Sequence, residues 1–249
     1  MKRIIKKFKS AEELALELAK KLKEEIEKKS KLHEKYFLSL SGGSTPKVLF
    51  KILADFPYSK GIKWDNVHLF WGDERCVPPE DVESNYGMTK KFLLDKIRIP
   101  KENIHRIKGE VNPEEEATRY SEEIKKSVPI EEELPRFDCI LLGMGEDGHT
   151  ASLFPGKQLN AVSQNICGVA EKTISTCHGN NIQRRISLTR DVICNGEKIF
   201  FLVTGNKKAK TLSDIIKETP DKNKYPASGI HNINGYSEWW VDEAAASYI

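Results

Sequence analysis

The string Gly143-Met144-Gly145-Glu146-Asp147-Gly148-His149-Thr150-Ala151-Ser152-Leu153-Phe154-Pro155-Gly156 directly follows an apolar run, Phe137 to Leu142, and sets a carboxylate two residues before an imidazole among glycines. That pattern predicts a strand ending in a tight loop that presents acid and base chemistry to a small molecule. His149 suits a general base near neutral pH, with Asp147 orienting it or raising its basicity. The plainer alternative is a histidine that caps or fills the loop. No second His or Cys stands at ligand spacing to His149, so no metal is expected there. The other five histidines, His33, His68, His105, His178 and His231, lack such a setting and are read as structural or exposed.

Two further stretches suit an anion. Ser41-Gly42-Gly43-Ser44-Thr45-Pro46 offers backbone N–H groups and hydroxyls at a predicted helix start, where the dipole favours negative charge. No Gly-Lys-Ser/Thr follows, so it is not a nucleoside triphosphate loop. Thr204-Gly205-Asn206-Lys207-Lys208 repeats the arrangement with lysines, which the helix dipole alone would disfavour at that end. The bland alternatives are a glycine-turn cap and a solvated lysine pair. Trp71-Gly72-Asp73-Glu74-Arg75 ends another apolar run with an arginine able to clamp phosphate or carboxylate, or else a structural ion-pair cluster. Of the adjacent Arg184 and Arg185, one alone can face a cleft from an extended strand, and Arg185 is preferred.

These loops need a frame that brings them together. Ser10 and Glu13 form a capping box, after which Ala11, Leu14, Ala15, Leu18, Ala19, Leu22 and Ile26 repeat at helical spacing. Apolar strands are predicted at 36–40, 67–71, 137–142 and 198–203, and helices after Ser44 or Thr45 with Pro46 in the first helical position, over 84–96, over 113–127 and over 207–217. Alternation of nearly continuous apolar strands with helices predicts an α/β fold in three layers, a mostly parallel sheet with helices on both faces. The run Glu131-Glu132-Glu133 is expected as a solvated turn. Ligands of such sheets bind beyond the carboxyl ends of the strands, which selects the same four loops.

Composition narrows the function. The 249 residues, 39% hydrophobic, suffice for one core, and a single domain over 1–249 is expected. Basic and acidic residues, 40 against 37, are interspersed, which disfavours a nucleic-acid partner. Cys76, Cys139, Cys167, Cys177 and Cys194 show no CxxC spacing and leave one unpaired, so neither a disulfide framework nor structural zinc is expected, and a reducing cytoplasm fits. Met1 to Ser10 carries five basic residues without a signal-like apolar core, and no run approaches a membrane span of roughly 18 apolar residues. A monomer without membrane partner is expected.

Taken together, Ser41 to Pro46, Gly72 to Arg75, Gly143 to Gly156, and Thr204-Gly205 with Lys208-Ala209 resemble the 6-phosphogluconolactonase family in order and separation. The likeness runs from about Phe37 to Ala245, with Ser84-Asn85-Tyr86 and Trp239-Trp240-Val241-Asp242 included. It implies a modified Rossmann-like sheet, as in the related glucosamine-6-phosphate deaminases. It also implies a hydrolase, a carboxylic ester hydrolase of carbohydrate metabolism, that opens 6-phospho-D-glucono-1,5-lactone to 6-phosphogluconate in the oxidative pentose phosphate pathway without cofactor or metal. On this resemblance His149 activates water, Asp147 orients His149, Arg75 stabilises the oxyanion, and Gly42, Gly43, Ser44, Lys208 and Arg185 hold phosphate. Arg75 and Arg185 remain exchangeable between those two duties.

The deaminases continue Asp-Gly-His into Phe-Asn-Glu-Pro, whose glutamate assists ring opening. Here Leu153-Phe154-Pro155 puts Phe154 in that place, and Arg75 stands where deaminases tend to have tyrosine. Cys177 to Arg184 lacks the proline-rich run common in the family, which leaves the register of the arginine pair open. The alternatives are a deaminase or sugar-phosphate isomerase, and a non-catalytic sugar-phosphate sensor. The first 36 residues hold one predicted helix, not the helix-turn-helix a DNA-bound sensor would use.

Overall fold

The computed structural model describes residues 2–157, 159–161, 166–176, 179–217, 221–234 and 236–249. Its strands in chain order are β1 (Lys2–Phe8), β2 (Tyr36–Leu40), β3 (Val67–Trp71), β4 (Asp73–Arg75), β5 (Ile104–His105), β6 (Ile130–Glu131), β7 (Leu134–Pro135), β8 (Cys139–Gly143), β9 (Asn160–Ala161), β10 (Cys167–Thr176), β11 (Gly179–Leu188), β12 (Ile199–Val203) and β13 (Tyr236–Asp242). The helices are α1 (Ala11–Lys31), α2 (Ser44–Ala54), α3 (Tyr58–Gly61), α4 (Asn85–Phe92), α5 (Pro113–Ser127), α6 (Arg190–Asn195) and α7 (Ala209–Lys217).

Seven strands form one parallel sheet in the order β1-β13-β12-β8-β2-β3-β5. The expected α/β sheet flanked by helices is present. Every residue of β2, β3 and β12 is buried, as continuous apolar runs require in a sheet covered on both faces. Chain order reverses between β8 and β2, which makes the carboxyl edge of these central strands the switch point where such sheets open a crevice. The loops after β12, β8, β2 and β3 therefore leave four neighbouring strands on one edge.

Three features depart from expectation. The first helix is preceded by β1, an edge strand pairing along its whole length with β13. A second, antiparallel sheet, β4-β11-β10-β9, grows beside β3 and carries Arg185 on a ten-residue strand, where only a short apolar stretch was expected. α2 starts at Ser44 with Gly43 as its cap residue, so Pro46 is the third helical residue and neither hydroxyl caps through its side chain. Gly43 has φ 106°, a left-handed conformation that turns the chain into the helix and that glycine tolerates.

The capping box at α1 forms with a shift. Ser10 accepts from the Glu13 N–H at 3.3 Å, and the Glu13 carboxylate accepts from the Lys9 N–H at 2.5 Å, not from Ser10. The acidic turn is a tight β6–β7 hairpin whose Glu132 and Glu133 take positive φ. The expected helix over 84–96 ends at Phe92 and continues as a 3₁₀ turn, Leu94–Lys96. Cys76, Cys139, Cys167 and Cys194 are free thiols, while Cys177 and His178 fall outside the described residues. Among the described residues no helix is long and apolar enough to cross a membrane.

Candidate active site

The loop after β8 folds back on itself so that the Gly145 N–H donates to the His149 carbonyl at 2.9 Å and the Thr150 hydroxyl to the Gly143 carbonyl at 2.8 Å. This brings the His149 ring against Gly145, where a Cβ would lie 2.1 Å from His149 Nδ1. Asp147 Oδ1 meets His149 Nδ1 at 2.5 Å and accepts from the His149 backbone N–H at 3.2 Å. Burial would raise the Asp147 carboxyl, but its hydrogen bond and charge interaction with His149 outweigh this and hold it at about 2. An ionised Asp147 takes the proton on Nδ1, which leaves Nε2 as the basic nitrogen. The Phe154 ring, 6% exposed, packs 5.1 Å from the His149 ring.

His149 opens on a cleft of about 550 Å³ whose walls include Asp147, Arg75, Arg185, Lys208, Gly42, Gly43 and Ser44. All eight residues singled out in the sequence thus share one cavity, although they come from three loops of the central sheet and two strands of the second. Ser44 begins α2, so its N–H and that of Gly43 lie at the positive end of that helix. The side chain of Thr45 is tied to Thr204 across 2.6 Å, which fixes α2 against the loop after β12. In that loop the Gly205 N–H donates to both oxygens of Asp242 at 3.0 and 3.1 Å, and the following 3₁₀ turn delivers Lys208. Burial lowers the Lys208 ammonium, partly offset by Glu146 and Asp242.

The arginines enter from the second sheet. Register places Arg185 opposite Arg75, so the two stems lie side by side on one face, while Arg184 turns away to pair with Glu114. The Arg185 side chain is 8% exposed, and its NH1 lies 3.8 Å from Asp73. Its Nε and NH2 both donate to Gln183 Oε1, at 3.0 and 2.6 Å, and Gln183 in turn donates to Glu83 Oε2 at 2.6 Å. Arg75 NH1 donates to the Glu83 carbonyl. Asp73 is held by the Ser152 hydroxyl at 2.8 Å, and Glu74 accepts the Asn85 and Tyr86 N–H groups at the start of α4. The cluster is therefore partly the ion-pair scaffold that the sequence offered as the plainer alternative, with both guanidinium groups still lining the cleft.

Sequence reasoning did not single out Lys172, which also lines the cleft, from β10. Its only signal would have been strand register, since Lys172 pairs with Gln183 two residues beyond the Ala170 and Arg185 pair. Asn85 was noticed as part of a motif, without a role; it reaches the cleft and donates to the Asp73 carbonyl at 2.9 Å.

The chain matches the family described as glucosamine-6-phosphate isomerases/6-phosphogluconolactonase over residues 9–239. It belongs to this family. The chain is 48% identical over 217 residues to the 6-phosphogluconolactonase of Haemophilus influenzae, covering 87% of this chain and 88% of that one. The solved structure of the devB protein is similar over the whole of both chains, with TM-score 0.85 and 41% identity. The 6-phosphogluconolactonase of Trypanosoma brucei gives TM-score 0.82 at 26% identity, covering 100% of this chain and 99% of that one. Within the glucosamine-6-phosphate isomerase/6-phosphogluconolactonase family, the likeness to these two structures thus spans the whole of this chain.

Proposed function

We propose that this chain hydrolyses 6-phospho-D-glucono-1,5-lactone to 6-phosphogluconate, the lactone-opening step of the oxidative pentose phosphate pathway. The observation that carries this is the Asp147–His149 pair facing the same cleft as the α2 N-terminus and Lys208, in a chain nearly half identical to a 6-phosphogluconolactonase. Gly42, Gly43, Ser44 and Lys208 receive the phosphate, with Arg185 as a further cation. His149 Nε2 takes a proton from water as the oxygen attacks the lactone carbonyl carbon, and Asp147 stabilises the imidazolium that forms. Arg75 offsets charge on the carbonyl oxygen. The ring C–O bond then breaks, its oxygen takes the proton from His149, and the carboxylic acid product ionises. A lactone is an activated ester, so base, oriented water and charge stabilisation suffice without a covalent nucleophile or cofactor.

Phe154, at the position where the deaminases carry their glutamate, packs beside His149, which supports lactone hydrolysis over the ring-opening chemistry of the deaminases. The proposal includes action as a monomer of one domain in the cytoplasm, on a small phosphorylated sugar lactone and not on nucleic acid or membrane. The test is acid release from freshly prepared lactone, corrected for spontaneous hydrolysis, beside ammonia release from glucosamine 6-phosphate. Saturable lactone hydrolysis that falls about 10²- to 10⁴-fold in His149→Ala is expected. An unchanged rate in that variant removes the base; ammonia release in place of acid release overturns the reaction class.

A further inference from the structure

The three cations that the antiparallel sheet brings to the cleft differ in what already holds them. Arg185 spends Nε and NH2 on Gln183 and turns NH1 toward Asp73. Arg75 NH1 is bound to the Glu83 carbonyl, and its buried Nε has no hydrogen-bond partner among the described residues. Lys172 forms no hydrogen bond or ion pair with any described residue, although it faces the cleft. Its Nζ lies 5.5 Å from the centre of the Phe154 ring, on the ring that His149 approaches to 5.1 Å and Arg185 to 5.6 Å. Phe154 thus gathers the base, one restrained cation and one unrestrained cation around a single buried ring.

We infer that Lys172 is a catalytic residue whose ammonium donates to the carbonyl oxygen of the lactone as His149 delivers water, and afterwards pairs with the carboxylate this oxygen becomes. The inference rests on the lactonase reading above. Among the described residues neither lysine ammonium of the cleft forms a hydrogen bond or ion pair, and the two enter from different sheets: Lys208 follows β12 of the central sheet, Lys172 comes from β10 of the antiparallel sheet, with Phe154 between it and His149. Two lysines entering one cleft from different sheets suit a ligand that is anionic at one end and becomes anionic at the other. The ammonium of Lys172 can turn toward a tetrahedral oxyanion, whereas Arg185 must release Gln183 to present Nε or NH2, and Arg75 is anchored at one end by NH1 on the Glu83 carbonyl. Burial and the charge of Arg185 lower the Lys172 ammonium, with Asp147 opposing, which is the condition of a cation short of an anionic partner. As attack proceeds, electrons of the carbonyl bond move to oxygen beside this ammonium. They return when the ring C–O bond breaks, and no proton need leave Lys172.

The deciding experiment compares the parent chain with Lys172→Met and Lys172→Arg by initial rates on fresh lactone. It adds calorimetric affinities for 6-phosphogluconate and for glucose 6-phosphate, which shares the phosphate but lacks the carboxylate. Lys172→Met is expected to lower kcat by about 10²-fold, the scale of one lost oxyanion donor, with KM within about threefold. It is also expected to weaken 6-phosphogluconate about tenfold while glucose 6-phosphate binds as before, and Lys172→Arg should recover part of both losses. A kcat within twofold of the parent, or equal weakening of the two ligands, overturns the role of Lys172 and leaves the lactonase reading standing. No saturable hydrolysis by the parent sinks that reading, and the role of Lys172 with it.

Discussion

Asp147 is ionised throughout the working range, since its contact with His149 holds it at about 2. Its value to the site is then electrostatic and directional: it selects the His149 tautomer with Nε2 unprotonated and offsets the charge His149 gains. Asp147→Asn keeps an acceptor at the same place but removes the negative charge. We expect kcat to fall on the order of 10²-fold with KM nearly unchanged, in rates taken at several lactone concentrations. A kcat within threefold of the parent would show that His149 orients itself. At this scale the sequence was most informative where residues of opposite function are close along the chain, as Asp147 and His149 are. It was silent on Lys172, because a lone lysine in a polar strand looks like any solvated one until β10 and β11 are paired.

At the scale of elements, the strands with continuous apolar runs, β2, β3, β8 and β12, were legible because burial on both faces leaves no other composition open to them. β10 and β11 were not, since a ribbon with one face toward the cleft and solvent carries residues such as Asn181, Gln183 and Arg184 that mask its register. β1 was missed for a related reason: as an edge strand it sets Ile4, Ile5 and Phe8 among Lys2, Arg3, Lys6 and Lys7, with no period-two alternation to mark it. The edge formed by β3 and β5 carries its own consequence. His68 Nδ1 lies 3.0 Å from His105 Nε2, and His105 Nδ1 lies 2.8 Å from Glu123. Burial first, then Lys35 and His105, lower His68 from 6.5 to about 4. A base whose folded pKa is depressed binds fewer protons than the unfolded chain between those values, so stability rises with pH across that window. It is fully present above about pH 6.5 and declines toward pH 4, by up to about 3 kcal/mol for the full gap. Thermal unfolding at pH 7.5 and pH 5 should therefore separate by less in His68→Asn than in the parent. An equal separation would place the acid sensitivity elsewhere.

Across the whole molecule, the β1 edge of the sheet, three strands from β8, is coupled to the phosphate end of the cleft through one strand. β1 pairs with β13 from Lys2 and Tyr236 to Phe8 and Asp242, Phe8 stacks on Trp240 at 5.0 Å, and Lys6 pairs with Glu238 at 2.9 Å. The last residue of β13, Asp242, is the acceptor that holds the Gly205 N–H and, at 2.7 Å, the Ala245 N–H. The position of Lys208 thus depends on where β13 ends, and β1 helps to fix that end through the Glu243 N–H, which donates to the Phe8 carbonyl at 2.9 Å. Deleting Lys2–Phe8 strips hydrogen bonds from one side of β13 and uncovers Trp240, so the chain should unfold roughly 10 °C lower for a loss of a few kcal/mol. Below that transition the effect on catalysis should be selective. KM for the phosphorylated lactone should rise several-fold as the Gly205 to Lys208 turn loosens, while kcat stays within about twofold because Asp147 and His149 belong to the loop after β8. A fall in kcat at constant KM would show instead that β13 supports the base, and that the two ends of the cleft do not rest on separate strands.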